Sequence, residues 1–132
     1  MNVLIVEDDP NLRLLWRTVF GERGFRVTES DTLAAARAEI ARRDFDLVLL
    51  DLYLGRDNGL DLVEAIHRRM PDARIVVVTG AAEPGLPKSG GSVHDVLRKP
   101  VDLEDLLSIC HEAISANMSD PRMSSPGSQP RA

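Results

Sequence analysis

Five polar side chains stand where short apolar runs give out. Glu7 and Asp8 follow residues 3–6, Asp51 follows 47–50, Thr79 follows 75–78, and Lys99 comes just after Val96 and Leu97. A charge at the end of a buried run is costly to leave unpaired. Three carboxylates sharing one pocket also raise one another's pKa, so a cation must offset them. Oxygen donors of this kind suit a hard divalent ion, Mg²⁺ above others, because it keeps waters that a phosphate oxygen can replace. A carboxylate is also a competent nucleophile toward phosphorus, with an aspartyl phosphate as the product. The charge on the oxygens of a phosphoryl group in transfer calls for a metal, an ammonium and a hydroxyl donor in fixed positions more than for an acid or a base. Asp8 with Mg²⁺, Lys99 and Thr79 would meet that need.

These residues are useful together only if the chain folds to bring strand ends to one place. The runs 3–6, 47–50 and 75–78 lack polar alternation, which suits strands of a parallel sheet covered on both faces. Between them the apolar period becomes helical. Leu12, Leu15, Trp16, Val19 and Phe20 form one stripe, Leu33, Ala36, Ile40 and Ala41 a second, and Leu60, Val63 and Ile66 a third that ends before Pro71. Gly24 follows the first helix and residues 25–28 read as the second strand. Val96 and Leu97 mark a short last strand, and Asp102 starts a helix with Leu103, Leu106, Leu107, Cys110 and Ile114 on one face. Alternation of this kind predicts an α/β fold, a doubly wound five-stranded parallel sheet with helices on both faces and ligands at the carboxyl ends of the strands.

One stretch interrupts the alternation. Between residues 81 and 92 stand Pro84, Gly85, Pro87, Gly90 and Gly91. Proline costs about 3 kcal/mol and glycine about 1 kcal/mol inside a helix, so the fourth helix is predicted to be short or absent. Residues 1–116 make one domain. The Ser-, Pro- and Gly-rich stretch 117–132 has too few apolar side chains to order and reads as a disordered tail.

The bulk figures exclude several classes. A chain of 132 residues with 43% hydrophobic and 28% charged residues is long enough for one core and resembles neither a disordered nor a membrane protein. A net charge of -5 argues against nucleic acid or anionic lipid as a partner. Cys110 is the sole cysteine, and His67, His94 and His111 are scattered, so no zinc pattern forms. The first residues lack an export signal, which predicts a cytoplasmic protein.

Val6-Glu7-Asp8-Asp9-Pro10, then Leu49-Leu50-Asp51-Leu52, then Thr79-Gly80, then Lys99-Pro100 together resemble the response-regulator receiver family of two-component signalling. Each piece alone is weak; the four in this order, each at a strand end, are specific, and they span nearly all of the chain before the tail. The resemblance implies a flavodoxin-like strand order 2-1-3-4-5 and Asp51 as phosphoacceptor. It implies Mg²⁺ ligation by Asp8, Asp51 and the main-chain carbonyl of Tyr53, with Glu7 acting largely through water. Thr79 and Lys99 would bind the phosphoryl oxygens, and Gly59 matches the family's glycine in the loop after the phosphoacceptor. The implied function is a phosphorelay receiver rather than an enzyme of external substrates, one that catalyses its own phosphorylation and dephosphorylation. Its donor would be a sensor histidine kinase or a histidine phosphotransfer protein. Because no output domain follows in this sequence, its output is expected by contact with a downstream protein target.

Three departures accompany the match. Val96 stands where the family usually has Tyr or Phe, so an aromatic rotamer switch is not expected, residues 81–92 replace a regular helix, and Gly55 stands where a proline is common. Phosphorylation is therefore expected to order 81–92. A haloacid-dehalogenase-like phosphatase would want an acid two positions after the nucleophile, where Tyr53 stands. A flavodoxin-like cofactor binder would want a Ser/Thr/Gly-rich loop in place of Glu7-Asp8-Asp9. A degenerate receiver that binds partners without phosphorylation is the remaining alternative. Plainer roles suit Asp9 as a helix cap, Trp16 and Cys110 as core residues, and Arg42, Arg43, Arg68 and Arg69 as solvated helix ends.

Overall fold

The computed structural model describes residues 1–54, 57–80 and 95–119, with the backbone alone at 53, 57, 58, 95 and 117–119. Its central sheet has five parallel strands: β1 (Asn2–Val6), β2 (Arg26–Ser30), β3 (Leu47–Asp51), β6 (Arg74–Thr79) and β7 (Asp95–Arg98). They lie in the order β2-β1-β3-β6-β7, which is 2-1-3-4-5 when the sheet strands are counted along the chain. A separate antiparallel pair, β4 (Tyr53–Leu54) with β5 (Asp57–Asn58), follows β3. Four helices complete the described residues: α1 (Pro10–Glu22), α2 (Leu33–Arg42), α3 (Leu60–Arg69) and α4 (Leu103–Ser119).

The unbroken apolar runs serve two cores at once, because successive side chains on a strand point to opposite faces. Leu4, Val6, Val48, Leu50, Ile75 and Val77 join Leu33, Ala36 and Ile40 of α2 and Leu62, Val63 and Ile66 of α3. Val3, Ile5, Leu47, Leu49, Val76 and Val78 join Trp16, Val19 and Phe20 of α1 and Leu106, Ile109, Cys110 and Ala113 of α4. Each fully buried aliphatic side chain contributes about 1.5–3 kcal/mol. Every residue of β3 is buried, as befits the middle strand of a sheet covered on both sides.

Local signals set the helix ends. Asp9 caps α1 by accepting from the amides of Asn11 and Leu12, Pro10 opens the helix, and Gly24 takes φ +90 after it. Thr32 caps α2 through the Ala35 amide. Asp102 and Asp105 exchange hydrogen bonds at the start of α4, with Oδ1 of Asp102 accepting from the Asp105 amide at 2.8 Å.

Some expected positions shift. Leu15 and Leu103 are 44% and 54% exposed, and Ala41 is also exposed, because Trp16 with Phe20, Leu106 and Ile40 already fill the space beneath their helices. The second strand begins at Arg26 instead of residue 25, since Phe25 turns inward and packs edge-on against Phe20 with ring centroids 5.3 Å apart. Arg69 is no free helix end: its Nε donates to the Ile40 carbonyl at 2.6 Å. α4 continues to Ser119, three residues past the boundary placed at 116. The stretch 81–92 and the rest of the tail lie outside the described residues.

Candidate functional site

Strand order reverses between β1 and β3: the chain leaves β1 for β2 on one side and β3 for β6 on the other. In open α/β sheets this is where a crevice forms beyond the carboxyl ends of the strands. The main-chain ladder carries on one step past three strand ends. Glu7 N–H donates to Ser30 O at 3.0 Å, Leu52 N–H to Val78 O at 2.8 Å, and Lys99 N–H to Thr79 O at 2.9 Å. These bonds place the polar residues after β1, β3 and β7 at the rim of one crevice.

Glu7 is fully buried, Asp51 is 3% exposed, Thr79 is 1% exposed, and Asp8 is exposed. One oxygen each of Glu7, Asp8 and Asp51 lies within 4.8 Å of the others, the one such cluster of metal-ligating side chains among the described residues. The Lys99 ammonium reaches into it, 3.0 Å from Asp51 Oδ2 and 3.0 Å from Glu7 Oε1. Glu7 Oε2 accepts from the Asp9 amide at 3.0 Å. Glu7 Oε1 is buried without a well-directed hydrogen bond, so its contact with Lys99 is ionic. The peptide bond between Lys99 and Pro100 is cis.

The electrostatics follow from this crowding. Burial pushes the Glu7 carboxyl up to about 7; the Asp9 amide and Lys99 pull it down, and Asp51 and Asp8 push it further up. Burial works against the Lys99 ammonium, yet its hydrogen bond to Asp51 and its ion pair with Glu7 outweigh that and raise its pKa above the ordinary 10.5. One ammonium thus faces three carboxylates. The surplus negative charge, the all-oxygen donor set and the oxygen spacing fit a hard divalent cation such as Mg²⁺.

Glu7, Asp8, Asp51 and Lys99 therefore meet. Thr79 closes β6 beside the end of β3, where Asp51 pairs with Val78, and Tyr53 opens β4 two residues after Asp51. Gly59 holds its place sterically: a Cβ there would come 3.2 Å from the Asp51 carbonyl oxygen, 3.2 Å from Leu50 Cδ1 and 3.3 Å from the Leu52 carbonyl oxygen. Two further residues touch the site and were not singled out in the sequence. Ser30 supplies the carbonyl that fixes Glu7, and Arg13 donates to the Glu7 carbonyl at 2.9 Å. The one available signal for Arg13 was its position four residues after Asp9, on the same face of α1.

Residues 3–111 match the response regulator receiver domain family. The chain belongs to that family. Among curated proteins it is 35% identical over 109 residues to the photosynthetic apparatus regulatory protein RegA of Rhodobacter capsulatus, covering 80% of this chain and 58% of that one. It is 38% identical over 111 residues to the acid tolerance regulatory protein ActR of Sinorhizobium medicae, covering 80% and 56%. Against the response regulator PilR of Pseudomonas aeruginosa the identity is 33%, and the chain spans 25% of that protein. The receiver thus corresponds to a part of these longer regulators.

Solved receivers share the fold. A CheY-like receiver domain protein from Methanospirillum hungatei superposes with a TM-score of 0.80 at 26% identity, covering 87% of this chain and 94% of that one. A response regulator from Burkholderia pseudomallei, solved with a phosphorylated aspartic acid, a calcium ion and citrate, gives 0.69 at 25% identity and covers 87% and 71%. At the position of the family's usual aromatic, Val96 of this receiver sits on the edge strand β7 and is 38% exposed. Among the described residues no helix is long and apolar enough to cross a membrane.

Proposed function

We propose that this receiver takes a phosphoryl group on Asp51 from the phosphohistidine of a sensor histidine kinase or histidine phosphotransfer protein, in the cytoplasm, and acts by contact with a downstream protein. The observation that carries the reading is Lys99 Nζ set 3.0 Å from both Asp51 and Glu7 inside a cluster of three carboxylates. The Asp51 carboxylate attacks phosphorus as the P–N bond to the donor imidazole breaks, and that nitrogen recovers a proton. Glu7, Asp8, Asp51 and the Tyr53 carbonyl would hold Mg²⁺. When bound, the ion supplies charge neutralisation for the phosphoryl oxygens.

The protein's own part is positional. Lys99 holds Asp51 Oδ2 in place beforehand and can follow the developing charge onto a phosphoryl oxygen. Thr79, buried at the end of the adjacent strand, offers a hydroxyl to another of those oxygens. Because Asp51 is 3% exposed, water reaches the acyl phosphate under restriction, and its later hydrolysis returns the receiver to its starting state.

The reading is tested by incubating the protein with acetyl phosphate and Mg²⁺ and measuring intact mass. Wild type should gain one phosphoryl group, labile to hydroxylamine, and Asp51→Asn should gain none. No adduct with acetyl phosphate or with a cognate kinase would leave a receiver that binds partners without being phosphorylated.

A further inference from the structure

Arg13 lies in the first turns of α1 and touches the pocket through main chain. Its Nη1 donates to the Glu7 carbonyl at 2.9 Å, and its Nε lies 3.4 Å from Glu29 Oε1 on β2. Arg17, one turn further on, lies 3.3 Å from the other oxygen of the same carboxylate. The two arginines differ in setting: the Arg13 side chain is 21% exposed and the Arg17 side chain 51%.

The Glu7 peptide is therefore held from both sides. Its N–H donates to Ser30 O at 3.0 Å and its carbonyl accepts from Arg13, whose own N–H donates to Asp9 O at 3.0 Å. The Glu7 carbonyl belongs to the peptide unit that leads into Asp8, so a bond to it sets the plane from which the Asp8 side chain departs. Lys99 steadies Glu7 and Asp51 directly. Asp8 is the exposed member of the three, and the Arg13 bond acts on the main chain that carries it.

We propose that Arg13 is a positioning residue of the carboxylate pocket: by gripping the Glu7 carbonyl, with Glu29 orienting its guanidinium, it fixes the loop from which Asp8 reaches Mg²⁺. This rests on the reading of Glu7, Asp8 and Asp51 as the Mg²⁺ site. The sign of its effect separates position from charge. A guanidinium near a cation site repels the cation, so simple loss of its charge would tighten Mg²⁺ binding. Loss of its grip would weaken it, and partners one shell out from a metal are typically worth about 10- to 100-fold in affinity.

Isothermal titration of the whole protein with Mg²⁺ decides between them, with Asp8→Asn as the variant that lacks the ligand. Arg13→Gln should bind about tenfold more weakly than wild type, in line with loss of an outer-shell partner. Arg17→Gln, which removes the same charge one turn away, should stay within about twofold because it leaves the Glu7 carbonyl bond intact. Arg13→Lys keeps the charge but cannot serve the carbonyl and Glu29 through one planar fork, and should lose about threefold. Should Arg13→Gln fail to fold, the Lys variant carries the decision. The Asp8 amide resonance should also shift in the Mg²⁺-free Arg13 variants and stay in place in Arg17→Gln. Arg13 variants that bind as tightly as wild type or tighter, or an equal loss in Arg17→Gln, would overturn the positioning role. Absence of Asp8-dependent Mg²⁺ binding in wild type would overturn the metal-site reading itself, and this role with it.

Discussion

Replacing Asp8 by Asn should stabilise the protein without Mg²⁺ and stop Mg²⁺ from stabilising it. Asp8 lies within 4.8 Å of the Glu7 and Asp51 carboxylates. At that distance, with an effective dielectric near 20, a like-charge pair costs about 3.5 kcal/mol. Asp8 is exposed, so solvent weakens its share, and Lys99 offsets part of the charge on the two buried acids. A net gain of about 1–2 kcal/mol for Asp8→Asn remains after that discount. Mg²⁺ at twenty times its Kd adds about 1.8 kcal/mol to wild type by mass action and should add almost nothing to the variant, closing or inverting the gap. Trp16 is the sole tryptophan and fully buried, so urea unfolding can be followed by its fluorescence in EDTA and in excess Mg²⁺. A variant less stable than wild type in EDTA, or stabilised by Mg²⁺ as much as wild type, would refute the reasoning.

Other outcomes are expected from single features. Gly59→Ala brings a Cβ within 3.2–3.3 Å of the main-chain oxygens of Asp51 and Leu52, so it should cost about 1 kcal/mol and slow adduct formation, checked by urea midpoint and mass gain. Asp9→Ala removes the acceptor for the Asn11 and Leu12 amides and should cost about 1 kcal/mol in the same unfolding assay. Burial pushes the Cys110 thiol from an ordinary 9 up to about 11. The folded state therefore keeps a proton that the unfolded chain loses between those values, and stability falls as pH rises through that window. The drop assigned to this group is at most about 2–3 kcal/mol, so the advantage of wild type over Cys110→Ala should shrink between pH 9 and about 11.

The sheet was legible because runs buried on both faces carry no alternation, and every one of them became a strand. The pocket was legible for a related reason, since a charged or hydroxylated residue at the end of such a run has few places to go except the crevice beyond the sheet. Less was visible where neighbours in space decide. Leu15 and Leu103 satisfy a helical period, yet Trp16 with Phe20 in the one helix and Leu106 in the other take the buried positions. The pair of two-residue strands β4 and β5 is too short for periodicity to reveal. Arg13 meets Glu29 across 16 residues and the carbonyl of Glu7 at the end of β1, contacts that depend on how α1 lies against β1 and β2.

The most direct measurement for the whole account is a crystal structure of the protein grown with Mg²⁺ and beryllofluoride. The expected result is one Mg²⁺ bound by Asp8, Asp51 and the Tyr53 carbonyl, with Glu7 alongside, beryllofluoride on Asp51, and Lys99 and Thr79 turned to its fluorines. Carboxylates pointing apart with no ion between them, and Lys99 directed to solvent, would contradict it.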